Sequence, residues 1–143
     1  MNKAFLILIV ALSIFAGCNE TANIGNGRVD VKEAAVIRVA VGALLSATPS
    51  AIKPALLISD ALLAEINGGG IADVAEIDKF ISKRIDELNL TKLEKQSVLD
   101  LMGLLRARAL SFLGESGITT EQRLNVVRDI ATIVNQSAKA RYE

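Results

Sequence analysis

Side chains that commonly carry chemistry in enzymes are scarce in this chain of 143 residues. It has no histidine and no tryptophan, and Cys18 is its single cysteine. Without histidine, the chain can form neither a Cys–His nucleophile pair nor a zinc site of mixed Cys and His ligands. A single cysteine also excludes an intramolecular disulfide. The groups still able to do chemistry are therefore the Cys18 thiol, the carboxylates and the basic side chains.

Carboxylates are grouped at two places, and neither spacing is typical of a catalytic or metal site. Asp73, Glu76 and Asp78 follow three consecutive glycines. Calcium needs about six to eight oxygen ligands from a looped backbone, and helix capping already explains Asp73 and Glu76. Asp86 and Glu87 are adjacent on a predicted helix and point in different directions, so they do not form an acid–base pair in a cleft. We therefore predict no catalytic residue, no metal site and a protein that is not an enzyme.

The glycines and the basic residues also have structural interpretations rather than functional ones. No Gly-Lys-Ser/Thr follows the glycines at 68–70 and no strand precedes them, which indicates a helix end or hinge rather than a phosphate loop. Sixteen basic residues balance sixteen acidic ones, so no nucleic-acid partner is expected. Basic residues near the C-terminus alternate with acidic ones and are typical of a solvated face. They are Arg106, Arg108, Arg123, Arg128, Lys139 and Arg141.

The first eighteen residues have the pattern of a secretory signal peptide. Lys3 precedes an apolar run over residues 4–16, which spans about 20 Å as a helix and is shorter than the roughly 30 Å core of a bilayer. The run ends in Phe15-Ala16-Gly17-Cys18, which resembles the lipobox of bacterial lipoproteins, although leucine is usual where Phe15 stands. The resemblance implies cleavage between Gly17 and Cys18 and a covalent lipid on the Cys18 sulfur. It implies no other cofactor.

This resemblance assigns the mature protein to a membrane surface, to which acyl chains would attach it firmly. Asn19 follows the cysteine, and the absence of Asp at this position favours the periplasmic face of the outer membrane over the inner membrane. Two alternatives stay open: a secreted protein with a chance cysteine near an Ala-x-Ala-like cleavage site, or an uncleaved N-terminal anchor. The predicted organisation is a signal peptide at 1–17, a lipidated cysteine with a flexible tether at 18–27, and one domain at 28–143.

Apolar residues recur at helical spacing throughout that domain, and no stretch alternates like a strand. The pattern predicts five helices, over Val31–Ala47 and over about 51–66, 74–88, 92–113 and 120–138. Four of them begin with capping pairs: Asp30 with Glu33, Asp73 with Glu76, Thr91 with Glu94 and Thr119 with Gln122. The predicted fold class is all-α, as a compact antiparallel bundle or an orthogonal helical array. On the third helix, we expect Ile81 to be fully buried and Lys83 to face water.

Residues 34–66 are apolar nearly all round and have two interpretations. One is a membrane-active hairpin; the other is a buried central hairpin covered by the three later helices. The second is favoured because neither half reaches the roughly 20 residues that a spanning helix needs. Arg38 and Asp60 are among the few charges in this segment, and we expect them to pair.

Composition narrows the function without identifying it. The expected mature chain has only three aromatic residues, Phe80, Phe112 and Tyr142, so it lacks stacking surfaces for bases or sugars. We predict a membrane-anchored, non-catalytic helical interaction or structural module with a protein partner in the envelope. The alternatives are a phage- or prophage-encoded exclusion or lysis lipoprotein that acts on membranes, and a carrier of an apolar ligand such as a lipid.

Overall fold

The computed structural model describes residues 29–113 and 119–142, which contain five α-helices and no strand. The helices are α1 Val31–Ala47, α2 Ile52–Asn67, α3 Ala75–Glu87, α4 Lys92–Leu113 and α5 Thr120–Tyr142. The predicted all-α class is confirmed, and the bounds of α1 are those predicted. The predicted signal peptide, the tether, Gly17 and Cys18 lie outside the described residues.

Two helices begin with complete capping boxes. The Thr91 hydroxyl accepts the backbone N–H of Glu94 at 3.2 Å, and the Glu94 carboxylate accepts the N–H of Thr91 at 2.9 Å. Thr119 and Gln122 form the same two bonds, also at 3.2 and 2.9 Å. Each box satisfies two backbone donors that the first helical turn leaves free, so the sequence itself sets where α4 and α5 begin.

The capping at α1 agrees with the prediction, whereas that at α3 differs. Asp30 accepts the N–H of Glu33 at 2.7 Å. At α3, Asp73 instead accepts the N–H of Ala75 at 3.2 Å, because the N–H of Glu76 already bonds to the backbone carbonyl of Asp73. The helix consequently begins at Ala75, one residue later than predicted.

A sharp corner separates α1 from α2. Pro49–Ala51 form a single 3₁₀ turn, and the axes of the flanking helices differ by 112°. In the described part of the chain no single helix combines the length and hydropathy of a membrane span, although α1 and α2 reach those values when counted together as one bent pair.

Helix α5 organises the core, because it packs against α2 over the longest contact and against α1 over the next longest. One cluster of buried residues joins α1, the start of α2, α4 and α5, and includes Val41, Leu45, Ala55, Leu101 and Val134. A second joins α2, α3 and α5, and a smaller third joins α2, α3 and α4. The apolar hairpin therefore supplies much of the core, as the favoured interpretation of residues 34–66 predicted.

The predicted Arg38–Asp60 pair is wrong. Arg38 donates to the side-chain oxygen of Gln136 at 3.1 Å, and Asp60 accepts from the amide of Asn135 at 2.6 Å. Both partners lie on α5, which packs against each half of the hairpin, so each charge meets a neutral side chain of α5. The corner between α1 and α2, which helical periodicity does not reveal, determines this arrangement.

One face of α1 stays in solvent. Val31 is 89% exposed and Val39 is 66% exposed. Ala35 and Ala43 continue the same row at four-residue spacing and are exposed as well. The later helices thus cover the hairpin on one side only.

Candidate functional site

A groove of about 800 Å³ lies between α2, α3, α4 and α5. Its volume is within the range of about 300–1,000 Å³ typical of sites for small molecules. Most of its walls are aliphatic. They include Ile58 and Leu62 of α2, Ile77 and Ile81 of α3, Leu99 and Met102 of α4, and Val127, Ile130, Ala131 and Val134 of α5.

The apolar stripe of α3 forms one wall of the groove. Ile77 and Ile85 are buried, as their spacing predicts, but Ile81 between them is only partly buried. The prediction that Ile81 is fully buried is therefore wrong, because this side chain lines open space between α3 and the helices opposite. Lys83 is exposed as predicted.

Helix α4 leaves room at Gly103, which also lines the groove. An ideal Cβ built on Gly103 meets no heavy atom within 4 Å among its described neighbours. A glycine in a helix interior costs roughly 0.5–1 kcal/mol relative to alanine. At this position it widens the groove without being required by any close contact.

Charged residues are gathered at one end of the groove. Arg106 of α4 and Asp78 of α3 form an ion pair there, with 3.3 Å between the guanidinium nitrogen and the carboxylate oxygen. Their side chains are 63% and 56% exposed, so the pair contributes little to stability. It connects the two helices across the opening of the groove.

Arg123, in the first turn of α5, also lines the groove. Its Nε atom is buried, and within the described part of the chain it has no hydrogen-bond partner; the same holds for the Nε atom of Arg128, which does not line the groove. Buried polar groups in proteins are nearly always hydrogen-bonded, so a buried guanidinium nitrogen without an acceptor requires an explanation. The Nε atom is closed to solvent, but Arg123 as a whole is only partly buried, so the terminal guanidinium nitrogens are the donors that an acceptor in the groove can reach.

The other carboxylates considered in the sequence are used locally. The Glu76 carboxylate accepts the N–H of Ala72 at 3.4 Å, next to the Asp73 cap described above. Asp86 pairs with Lys95 at 3.4 Å, whereas Glu87 pairs with Arg84 at 3.2 Å. Over residues 29–113 and 119–142, no three acidic or cysteine side chains come together as metal ligands would.

The sequence predicted neither the groove nor the position of Arg123 in its lining. It assigned Arg106 and Arg123 to a solvated basic face, because the neighbouring acidic residues neutralise them along the chain. The available signal was the spacing of Arg123 with Val127, Ile130 and Val134, which places a charge at the end of an apolar stripe. Gly17 and Cys18, the sites predicted for cleavage and lipidation, have no structural description.

Comparison of the chain with protein-family models, curated proteins and solved structures found no match.

Proposed function

We propose that this protein is a non-catalytic binding module, anchored by a lipid on Cys18 to the periplasmic face of the bacterial outer membrane, that holds an apolar ligand. The proposed localisation rests on the lipobox-like ending of the N-terminal apolar run and on Asn19 after the cysteine. The binding role rests on one observation, the aliphatic groove between α2, α3, α4 and α5. A carrier of an apolar ligand was one alternative in the sequence analysis, and this groove is the reason to prefer it.

A second candidate function is docking of an envelope protein partner, the module predicted first. The observation that favours it is the exposed apolar row on α1, of which Val31 and Val39 are the largest members. Exposed apolar patches on soluble domains often mark interaction surfaces. This row lies on a different helix from the groove, so the two functions can be tested with separate variants.

The anchor is tested by Cys18→Ser in the full-length chain. Loss of the thiol removes the lipid acceptor, so we expect precursor to accumulate and the protein to leave the detergent phase in phase partitioning. The control is the double variant Cys18→Ser/Ser13→Cys, which moves the thiol into the apolar run without restoring the motif. Normal processing and unchanged partitioning of Cys18→Ser would exclude the lipoprotein assignment.

The binding role is tested by mass spectrometry of solvent extracts from a purified chain of residues 28–143. We expect an apolar molecule in near-stoichiometric amount. Gly103→Leu projects a side chain into the open space of the groove and should remove that molecule, whereas Val39→Asn on the exposed face of α1 should not. Protein crosslinks that disappear in Val39→Asn, with no extracted ligand, would favour the second candidate.

A further inference from the structure

We infer that the groove binds a single-chain amphiphile with an anionic headgroup, with the headgroup at Arg123 and the acyl chain in the groove between α3 and α4. This inference rests on the proposed binding of an apolar ligand and specifies its chemical class. The inference follows from three features of the groove. Its two ends differ in polarity, one of the charged residues that line it has no partner, and its length is that of an acyl chain.

The groove has a charged end and an aliphatic end. On α4 its lining residues run from Leu99 to Arg106, and on α5 they run from Val134 to Arg123. The third core cluster, which contains Ile58, Ile85 and Val98, places Leu99 at the aliphatic end. The Arg106–Asp78 pair and Arg123 therefore lie toward the other end, and this polarity corresponds to the polarity of an amphiphile.

Among the charges that line the groove, only Arg123 lacks a partner within the described residues. Asp78 is paired with Arg106, and Asp73 accepts a backbone N–H at the start of α3. Arg123 has neither kind of contact, and because its Nε atom is closed to solvent, its terminal guanidinium nitrogens are the donors that a ligand can reach. The groove thus offers one cationic donor to a ligand, and an anion there would form a charge-assisted hydrogen bond.

The position of Arg123 on its helix favours an anion as well. It lies in the first turn of α5, where the aligned peptide dipoles produce a partial positive charge. A carboxylate or phosphate ester placed there meets both this field and the guanidinium.

The dimensions match one extended acyl chain. From Arg123 to Val134 the lining residues of α5 occupy one helical face and cover about 17 Å at 1.5 Å per residue. The aliphatic residues on this face of α5 are at most 8% exposed and form the floor of the groove. The surface open to a chain comes from the partly buried Ile81 and Met102 and from the exposed Leu99.

The test uses the full-length protein in isolated bacterial membranes with two photoactivatable probes, hexadecanoate and hexadecanol, each bearing the same diazirine. After irradiation, labelled peptides are mapped. We expect hexadecanoate to label α3, α4 and α5 and hexadecanol to label them at least tenfold less, because a hydrogen bond from a charged donor changes affinity by about that factor.

Variants separate the headgroup contact from the binding of the chain. Arg123→Gln should lower hexadecanoate labelling about tenfold and leave hexadecanol labelling unchanged, with thermal unfolding as the check on folding. Arg141→Gln is the matched control, because Arg141 lies on the same helix but bonds to Ser46 outside the groove. Gly103→Leu should abolish labelling by both probes, and Gly103→Ala should retain it.

Equal labelling by the two probes, or full hexadecanoate labelling of Arg123→Gln, would overturn the anionic headgroup while leaving an apolar-ligand groove in place. Failure of both probes to label the wild-type groove would instead contradict the proposed function itself. The two failures are therefore distinguishable in one experiment.

Discussion

Ile81 and Ile85 lie one turn apart on the same face of α3, yet the protein buries them to different depths. Ile85 is 3% exposed and packs with Ile58 and Val98. Ile81 contacts both neighbouring core clusters but also borders the groove, where no wall closes over it. The difference identifies the turn of α3 at which the groove interrupts the buried stripe, since Ile77 one turn earlier is buried again.

Truncation of these two residues should therefore have unequal effects. We expect Ile85→Ala to lower the free energy of unfolding by about 2–5 kcal/mol, because it leaves a cavity in a closed cluster. Ile81→Ala should cost less than half as much, since its side chain loses fewer contacts. Lys83→Ala, on the exposed face, should change stability by less than about 0.5 kcal/mol. Urea melts measure all three, and an Ile81 loss equal to that of Ile85 would contradict an open groove.

The surroundings of Gly103 predict whether a substitution there raises or lowers the stability of the protein. Gly103→Ala should raise stability by about 0.5–1 kcal/mol, because alanine is the better helix former and the new methyl group enters open space. Thermal and urea unfolding check this prediction. Destabilisation by Gly103→Ala would mean that a neighbouring side chain fills the space next to Gly103. The volume of the groove would then be smaller than 800 Å³.

At the scale of single helices, the contact between α1 and α5 depends on Gly42. Arg141 lies over this glycine and donates to the Ser46 hydroxyl at 3.2 Å and to the Ser137 carbonyl at 3.0 Å. A Cβ at position 42 would stand 2.6 Å from the Arg141 guanidinium. The glycine therefore admits a long side chain that connects the end of α5 to α1.

A double-mutant cycle should reveal this connection. We expect Gly42→Ala to stabilise an Arg141→Ala background by about 0.5–1 kcal/mol, the usual helix-propensity gain. In the wild-type background the gain should be smaller or reversed, because the new methyl group displaces the guanidinium. Urea unfolding of the four proteins gives the coupling free energy, and strict additivity would show that Arg141 does not rest on Gly42.

The helices also show which parts of the fold the sequence predicts. The starts of α4 and α5 follow from capping boxes whose members are three residues apart, so a short window of sequence contains all the information needed. The partners of Arg38 and Asp60 lie on α5, roughly 75 to 98 positions away. Their identity depends on the 112° corner after α1, which hydrophobic periodicity does not encode.

The groove was unpredictable for the same reason. No single helix contains the groove. It arises only where four helices come together, and Gly103 and Ile81 of different helices both line it. Arg123 illustrates the consequence, since its neighbours in sequence suggest a solvated charge whereas in space it lines a mostly aliphatic groove.

For the whole molecule, the last helix in the chain holds the earlier ones together. Residues of α5 belong to both larger core clusters: Ile130 and Val134 contribute to the first, and Val127 and Ala131 to the second. Helix α3 has no such long contact with α1, and the two are joined mainly through α2. We therefore expect folding to be cooperative and to be complete only when α5 is present.

A chain of residues 28–143 should accordingly fold without its lipid into a monodisperse helical domain that unfolds in one transition. Among the described residues the core comes from α1 to α5, together with Ala51 of the 3₁₀ turn and Ile71 of the loop before α3, and the helices begin and end at signals contained in this segment. Removal of residues 119–143 should abolish the fold, because it exposes the buried faces of α1 and α2 together. Circular dichroism and size-exclusion chromatography compare the two chains, and replacement of the exposed Lys139 by Ala is the control. Low helicity or obligate aggregation of the 28–143 chain without detergent would contradict the independent domain and favour a membrane role for the α1–α2 hairpin.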